Sequence, residues 1–208
     1  MTTSKKRTSP LTKDELFSTA LRIVDAEGLE ALSMRRLANE VGVEAASLYH
    51  HIPNKDALIN GMLVKMRTEM TIPDPVPEYW VDLYLAIFVE YYRVLAAHPN
   101  LVIYAGRRVE SDPETSGLEG LVHMGFGEED AIELWQSLVA FCAGYSLFSS
   151  SGAETDTSDL PPGLATRMAQ WDEKTVAITL RAILEAYASK CGSAPTPHDA
   201  AQSLEPKG

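Results

Sequence analysis

Residues 47–58 read SLYHHIPNKDAL and bring Tyr49, His50, His51 and Lys55 close together in the chain. Such a set could ligate a metal, pass protons or grip an anion. Successive side chains on a helix point about 100° apart, so His50 and His51 do not share a ligand face, and no cysteine or carboxylate stands at a useful ligand spacing. The chain also has no nucleophile in a recognised motif, no glycine-rich phosphate loop and no paired carboxylates in an apolar setting. Neither enzyme chemistry nor a metal or cofactor is expected. What remains is docking on something anionic, for which phenol, imidazole and ammonium are all suitable donors.

Net charge first argues against a polyanion, since the 208 residues carry −11. Counted by segment, residues 1–67 hold 10 Lys/Arg against 8 Asp/Glu and residues 68–208 hold 8 against 21, giving +2 and −13. Two units with different partners are implied, and only the first suits a polyanion. At 45% hydrophobic and 23% charged the chain can bury a core. No stretch approaches the ~20 uninterrupted apolar residues of a membrane span, and the N-terminus lacks a signal-peptide hydrophobic region. A soluble, cytoplasmic protein without a membrane partner is expected. Cys191 falls in a polar, Pro-containing stretch, so it and Cys142 read as free thiols.

The elements that must position the anion-docking residues follow from punctuation and period. Residues 1–10 read as a basic, disordered arm. A helix then opens in LTKDELF, where Thr12 and Glu15 form a capping box, buries Leu16, Ala20, Ile23, Val24 and Leu29, and stops near Gly28. Further helices are expected from the N-cap Ser33 to Glu40, from about Glu44 to His50, and from the N-cap Asn54 to about Glu69. Prolines 73, 75 and 77 end this first unit, residues 11–69. The second unit, residues 78–190, begins with Trp80, Tyr84, Phe88, Tyr91 and Leu95 at helical spacing, widened by Leu83, Ile87 and Val94 so that it packs on more than one neighbour. Helices are expected at 128–150 and 172–190, a polar loop over SSSGAETDTSDLPPG, and a disordered tail at 191–208.

Within SMRRLANEVGVEAASLYHH, Ala38 permits close packing, Gly42 supplies a positive φ, and Leu37, Val41, Val43 and Leu48 fill the space between two short helices. This is helix-turn-helix spacing, with a plain helical hairpin as its rival. The second helix exposes only small or hydrogen-bonding residues, which lets its backbone sit deep in a major groove, with Arg35, Arg36 and Lys55 at its flanks for phosphates.

Residues 11–67 also resemble the N-terminal domain of TetR-family transcriptional repressors across three helices and into a fourth. The L-Y-x-H-[hydrophobic]-x-[NS]-K signature stands here as Leu48, Tyr49, His51, Ile52, Asn54 and Lys55. The resemblance implies double-stranded DNA as partner. Ser33 looks like a phosphate contact, and Arg35 resembles the family arginine that reaches a guanine edge. Glu44, Ala45, Ala46 and Ser47 occupy base-facing positions, with Ala45 and Ala46 offering only methyl contacts. Tyr49, His51 and Lys55 are similar to backbone-gripping residues that set register. His50 stands where the family often has an aromatic and suits stacking on sugar or a phosphate hydrogen bond.

The expected fold is all-α: an N-terminal three-helix helix-turn-helix DNA-binding domain followed by a helical ligand-binding and dimerisation domain. Residues 78–150 and 172–190 resemble the tetracycline-repressor type of that second domain, through YYRVLAAHPNLVIYAGRR and a long helix ending GYSLFSSS. Tyr104 replaces the histidine that binds the drug's magnesium in that subgroup, so metal-tetracycline sensing is not expected. Trp80, Tyr84, Phe88, Tyr91, Tyr104, Trp135, Phe141 and Tyr145 are the candidate contacts for a small, largely apolar effector. At least half of the interior aromatics, Phe126 included, are expected to be plain packing. Tyrosine hydroxyls, His98, His123 and Arg107 are the candidate polar groups.

A repressor working as a homodimer follows, with helices 128–150 and 172–190 of each copy forming a four-helix bundle. Its recognition helices would lie about 34–36 Å apart on a near-palindromic operator, with helix 54–69 linking effector to DNA. The alternative is a helical DNA-binding regulator controlled by a protein partner instead of a metabolite.

Overall fold

The computed structural model of the protein describes residues 10–107, 113–150, 159–168 and 172–191. Residues 1–9, 151–158 and 192–208, which hold nearly all of the expected arm and tail and the middle of the polar loop, lie outside the described residues. Every regular element among the described residues is helical, as the sequence implies. Contacts divide the chain into two units, Met1–Glu69 and Met70–Gly208.

In the first unit α1 (Lys13–Glu27) is capped by Thr12, whose Oγ1 accepts from Glu15 N at 3.2 Å. It ends where Gly28 donates its N–H to Val24 O at 2.8 Å. Leu16, Ala20, Leu21, Ile23 and Val24 form its buried side. Leu29 is displaced from that stripe into a half-buried 3₁₀ turn, Leu29–Ala31, because Gly28 breaks the helical period first. α1 packs on α4 (Lys55–Arg67), whose N-cap is Asn54, and α2 (Met34–Val41) packs on both α1 and α3 (Ala45–Leu48). Gly61 permits the α1–α4 approach: a Cβ there would stand 2.1 Å from a ring carbon of Phe17.

In the second unit α5 (Trp80–Ala97) buries residues on most of its circumference, Trp80, Leu83, Tyr84, Ile87, Phe88, Tyr91 and Leu95 among them. It packs against α7 (Glu128–Ser150), α9 (Glu173–Cys191) and a 3₁₀ turn, Pro99–Tyr104. α7 is long and apolar enough to cross a membrane by length and composition. Leu134, Leu138, Cys142 and Tyr145 lie buried along it, where it packs on α5, α6 and α9, while Ile132, Leu147 and Phe148 stay exposed. Val176, Leu180 and Leu184, spaced by one turn, seat α9.

Two helices escape the sequence pattern. α6 (Pro113–His123) is hidden by Gly117 and Gly120, which lower helix propensity. α8 (Pro162–Met168) starts inside the expected loop, and its proline at the first helical position needs no N–H partner. The polar-loop expectation is therefore corrected from Pro162 onward.

Candidate nucleic-acid interface

The turn between α2 and α3 is made by Gly42, at φ 73° and ψ 36°, a left-handed conformation that is inexpensive only without a Cβ. Its N–H and that of Val43 both return to Ala38 O, the latter at 3.0 Å. Leu37, Ala38, Leu48 and Ile52 are buried and anchor the pair of helices. Everything between Leu48 and Ile52 is left facing outward or half-buried.

The second helix is shorter than the sequence suggests. It ends at Leu48, where the N–H groups of His51 and Ile52 converge on Leu48 O at 2.9 and 2.8 Å. Ile52 precedes Pro53, and a residue before proline is pushed out of the helical region. Tyr49, His50 and His51 thus sit in a turn rather than on a helix. Tyr49 is 54% exposed, Glu44, Ala46, Ser47 and His50 are exposed, and Ala45 and His51 are half-buried.

At the start of α2, Ser33 Oγ accepts from Arg36 N at 3.1 Å. The cap uses an oxygen lone pair and leaves the hydroxyl hydrogen available to an acceptor. Arg35 and Lys55 are exposed, and among the described residues neither forms an ion pair. Arg36 is placed differently from a free phosphate-binding flank. Its Nη1 donates to Glu40 and its Nη2 to Glu27 at 2.9 Å, while Arg22 Nη2 donates to the other oxygen of Glu40 at 2.7 Å. The paired carboxylates raise the Arg36 pKa, with the bond to Glu27 the largest cause, and Arg22 followed by Arg36 holds Glu40 below the usual carboxylate range. Sequence reasoning missed this cluster. The Arg36/Glu40 spacing of four was legible, but its partners on α1 were not.

In the second unit the candidate effector residues other than Tyr104 fall into separate ring clusters, most of them edge-to-face. Trp80 meets Tyr84 and Phe126 at 6.0 and 5.0 Å between centroids, Phe88 meets Tyr91 and Trp135 at 6.0 and 5.1 Å, and Phe141 tilts on Tyr145 at 5.7 Å. Tyr92, which sequence reasoning omitted, meets Tyr145 edge-to-face at 5.7 Å. Trp80, Tyr84, Phe88, Tyr91 and Tyr145 are buried, and Tyr104, Trp135 and Phe141 are half-buried.

Three hydroxyls offered as ligand contacts already hold backbone. Tyr84 donates to Gly117 O at 2.6 Å, Tyr91 to Ala105 O at 3.1 Å, and Tyr145 bonds both the carbonyl and the N–H of Asp172. Burial pushes the Tyr84 phenol and the Cys142 thiol far above their usual pKa. Tyr104 stands apart, with the Arg107 guanidinium 5.4 Å above its ring. His98 is buried at the end of α5 and His123 is exposed on α6. No group of three or more His, Cys, Asp or Glu suited to a metal occurs among the described residues.

Residues 16–62 match the family described as bacterial regulatory proteins, tetR family. ActR of Streptomyces coelicolor, a TetR family protein solved in complex with (S)-DNPA, is 30% identical, with a TM-score of 0.69 over 88% of this chain and 100% of that one. The chain belongs to the TetR family. A second ActR structure, with actinorhodin, gives a TM-score of 0.70 at 29% identity over 89% of this chain and 100% of that one.

An HTH-type transcriptional regulator of Saccharopolyspora erythraea is 32% identical over 62% of this chain, which spans only 57% of that protein's length. Tetracycline repressor protein class E of Escherichia coli is 29% identical over 64% of this chain and 66% of its own length. TetR proteins are DNA-binding transcriptional regulators of a repressor family, and the matched residues 16–62 contain the exposed turn after Gly42.

Proposed function

We propose that this protein is a cytoplasmic transcriptional repressor that binds a near-palindromic DNA operator as a homodimer and is released by a small, largely apolar effector. The observation that carries the DNA half is the outward face after Gly42: exposed Ala46, Ser47, Tyr49 and His50, flanked by Arg35 and Lys55 without ion pairs among the described residues. Arg35 and the Glu44–Ser47 segment read base edges, while Ser33, Tyr49, His50, His51 and Lys55 hold backbone. Ala46 offers the better-exposed of the two methyl contacts, since Ala45 is half-buried.

Dimerisation is supported by apolar surface left on the helices expected to form the bundle: Ile132, Leu147 and Phe148 on α7 and Ile178 on α9. An effector is supported by the aromatic interior and by ActR, which was solved with (S)-DNPA and with actinorhodin. Trp135, Phe141 and Tyr104 keep accessible surface and are the proposed contacts, with Trp80, Tyr84, Phe88, Tyr91 and Tyr145 forming the wall behind them. The effector acts by binding the low-affinity DNA state more tightly, with α4 as the link.

The test is selection of a duplex from a random pool, followed by binding at several salt concentrations. A steep fall of affinity with salt, near −0.9 in log–log slope per neutralised phosphate, and loss of binding in Arg35→Ala with Tyr49→Ala, are expected. Failure to enrich any duplex would refute the DNA reading. An operator affinity unmoved by every small molecule that binds the second unit would refute effector control and favour a protein partner.

A further inference from the structure

We infer that Arg36 is a positioning residue for DNA recognition, not a DNA contact: with Arg22, Glu27 and Glu40 it fixes the pose of α2 on α1 and thereby the aim of Arg35 and the recognition turn. The inference rests on the DNA-binding reading above. α2 has 8 residues and buries only Leu37 and Ala38, and α3 has 4. Helices this short are marginal on their own, so their orientation has to come from tertiary contacts. Two apolar anchors resist separation but give little resistance to sliding or rotation, because apolar attraction has no direction.

The charged cluster supplies that direction. Its members alternate in sign from Arg22 through Glu40 and Arg36 to Glu27, two from α1 and two from α2. Arg36 uses both terminal nitrogens on carboxylates of two different helices, and Glu40 receives one arginine on each oxygen. A planar guanidinium fork fixes angle as well as distance, so moving α2 along or around α1 breaks at least one of these bonds. Ser33 holds the backbone of the same residue.

The cluster sums to zero charge and adds nothing to the attraction of phosphates. The adjacent arginines therefore divide the work: Arg36 is closed on its own domain, and Arg35, about 100° around the helix, stands exposed.

The test compares two probes: the duplex enriched from a random pool by the wild-type protein, and a scrambled duplex of the same length and composition. Arg36→Lys, Arg36→Gln and Glu40→Gln should each lower affinity for the enriched duplex about 3- to 10-fold, with scrambled-duplex affinity and the salt slope unchanged. Lysine should not rescue, since one ammonium cannot fork across two carboxylates. Combining Arg36→Gln with Glu40→Gln should cost no more than the worse single change.

Full affinity in Arg36→Lys, or an Arg36→Gln loss that is equal on both duplexes and flattens the salt slope by about one phosphate per subunit, would overturn the inference. Should the Arg36 variants not fold, Glu40→Gln decides alone. A positioning role requires weaker specific binding, whereas a phosphate contact released from Glu40 would strengthen binding to both probes. A wild-type protein that enriches no duplex would instead strike the DNA-binding reading beneath.

Discussion

The two units treat their polar side chains in opposite ways. In the first, the groups after Gly42 point outward because caps, a left-handed glycine and a closed charge cluster already satisfy the nearby backbone and the surplus charges. In the second, the hydroxyls of Tyr84, Tyr91 and Tyr145 turn inward and are themselves what satisfies the backbone. Residue type is thus a poor guide to availability. What decides it is whether some other group has met the local hydrogen-bonding demand first.

The sharpest way to break this contrast is at Trp80. It is 1% exposed and is flanked edge-to-face by Tyr79, Tyr84 and Phe126. Trp80→Ala should cost about 3–5 kcal/mol in the unfolding of the second unit, seen as a lower melting temperature by circular dichroism. A small shift, well under 1 kcal/mol, accompanied by a changed effector response, would make Trp80 a ligand contact and not a wall.

A smaller effect separates packing from ligand contact at Tyr84. Its hydroxyl is buried on Gly117 O, and a Cβ at Gly120 would stand 2.9 Å from the same oxygen. Tyr84→Phe removes one hydrogen-bond partner and leaves a buried carbonyl short of a donor, so a loss of about 1–2 kcal/mol in chemical denaturation is expected. Unchanged stability with altered effector affinity would place the hydroxyl in the ligand site and erase the difference between the units.

The same contrast explains what could be read from the chain. Thr12, Ser33 and Asn54 were legible as caps, and Gly42 as the turn, because each acts on backbone within a few residues. The exposed surface after Gly42 followed from that local grammar. The end of α3 was misjudged by two residues, where the chain tightens onto Leu48 O, and α6 was missed because its glycines accommodate Tyr84 and Trp135, which are distant in sequence. In the second unit the aromatic stripe of α5 announced burial. Which hydroxyls are already bonded depends on partners 14 to 33 residues away, as at Tyr91 and Tyr84, and rings such as Trp80 with Phe126 and Phe88 with Trp135 meet across longer separations still. No periodicity encodes that. The ion pairing of Arg36 escaped for the same reason: its flanking position was local information, and its partner Glu27 was not.

The smallest effect expected concerns acid, and it returns to the charge cluster. Glu40 is held below the usual carboxylate range, first by Arg22 and then by Arg36. A carboxylate whose folded pKa is depressed stabilises the folded state above its unfolded value, about 4.3 for glutamate, and that contribution is lost as pH falls through the folded pKa. The α1–α2 contact should therefore loosen only below about pH 4. Amide hydrogen exchange of α2, followed from neutral pH into that window, should show a modest loss of protection in the wild type that is absent in Glu40→Gln. In the second unit Arg93 similarly depresses Glu173, so acid loosening at the start of α9 should shrink in Arg93→Gln, with the Arg181–Asp82 and Lys190–Asp130 pairs still in place, and leave the α2 profile unaltered. An identical acid profile for α2 in wild type and Glu40→Gln would mean that the apolar anchors Leu37 and Ala38 hold the helix unaided. Arg36 would then lose its part in aiming the recognition turn.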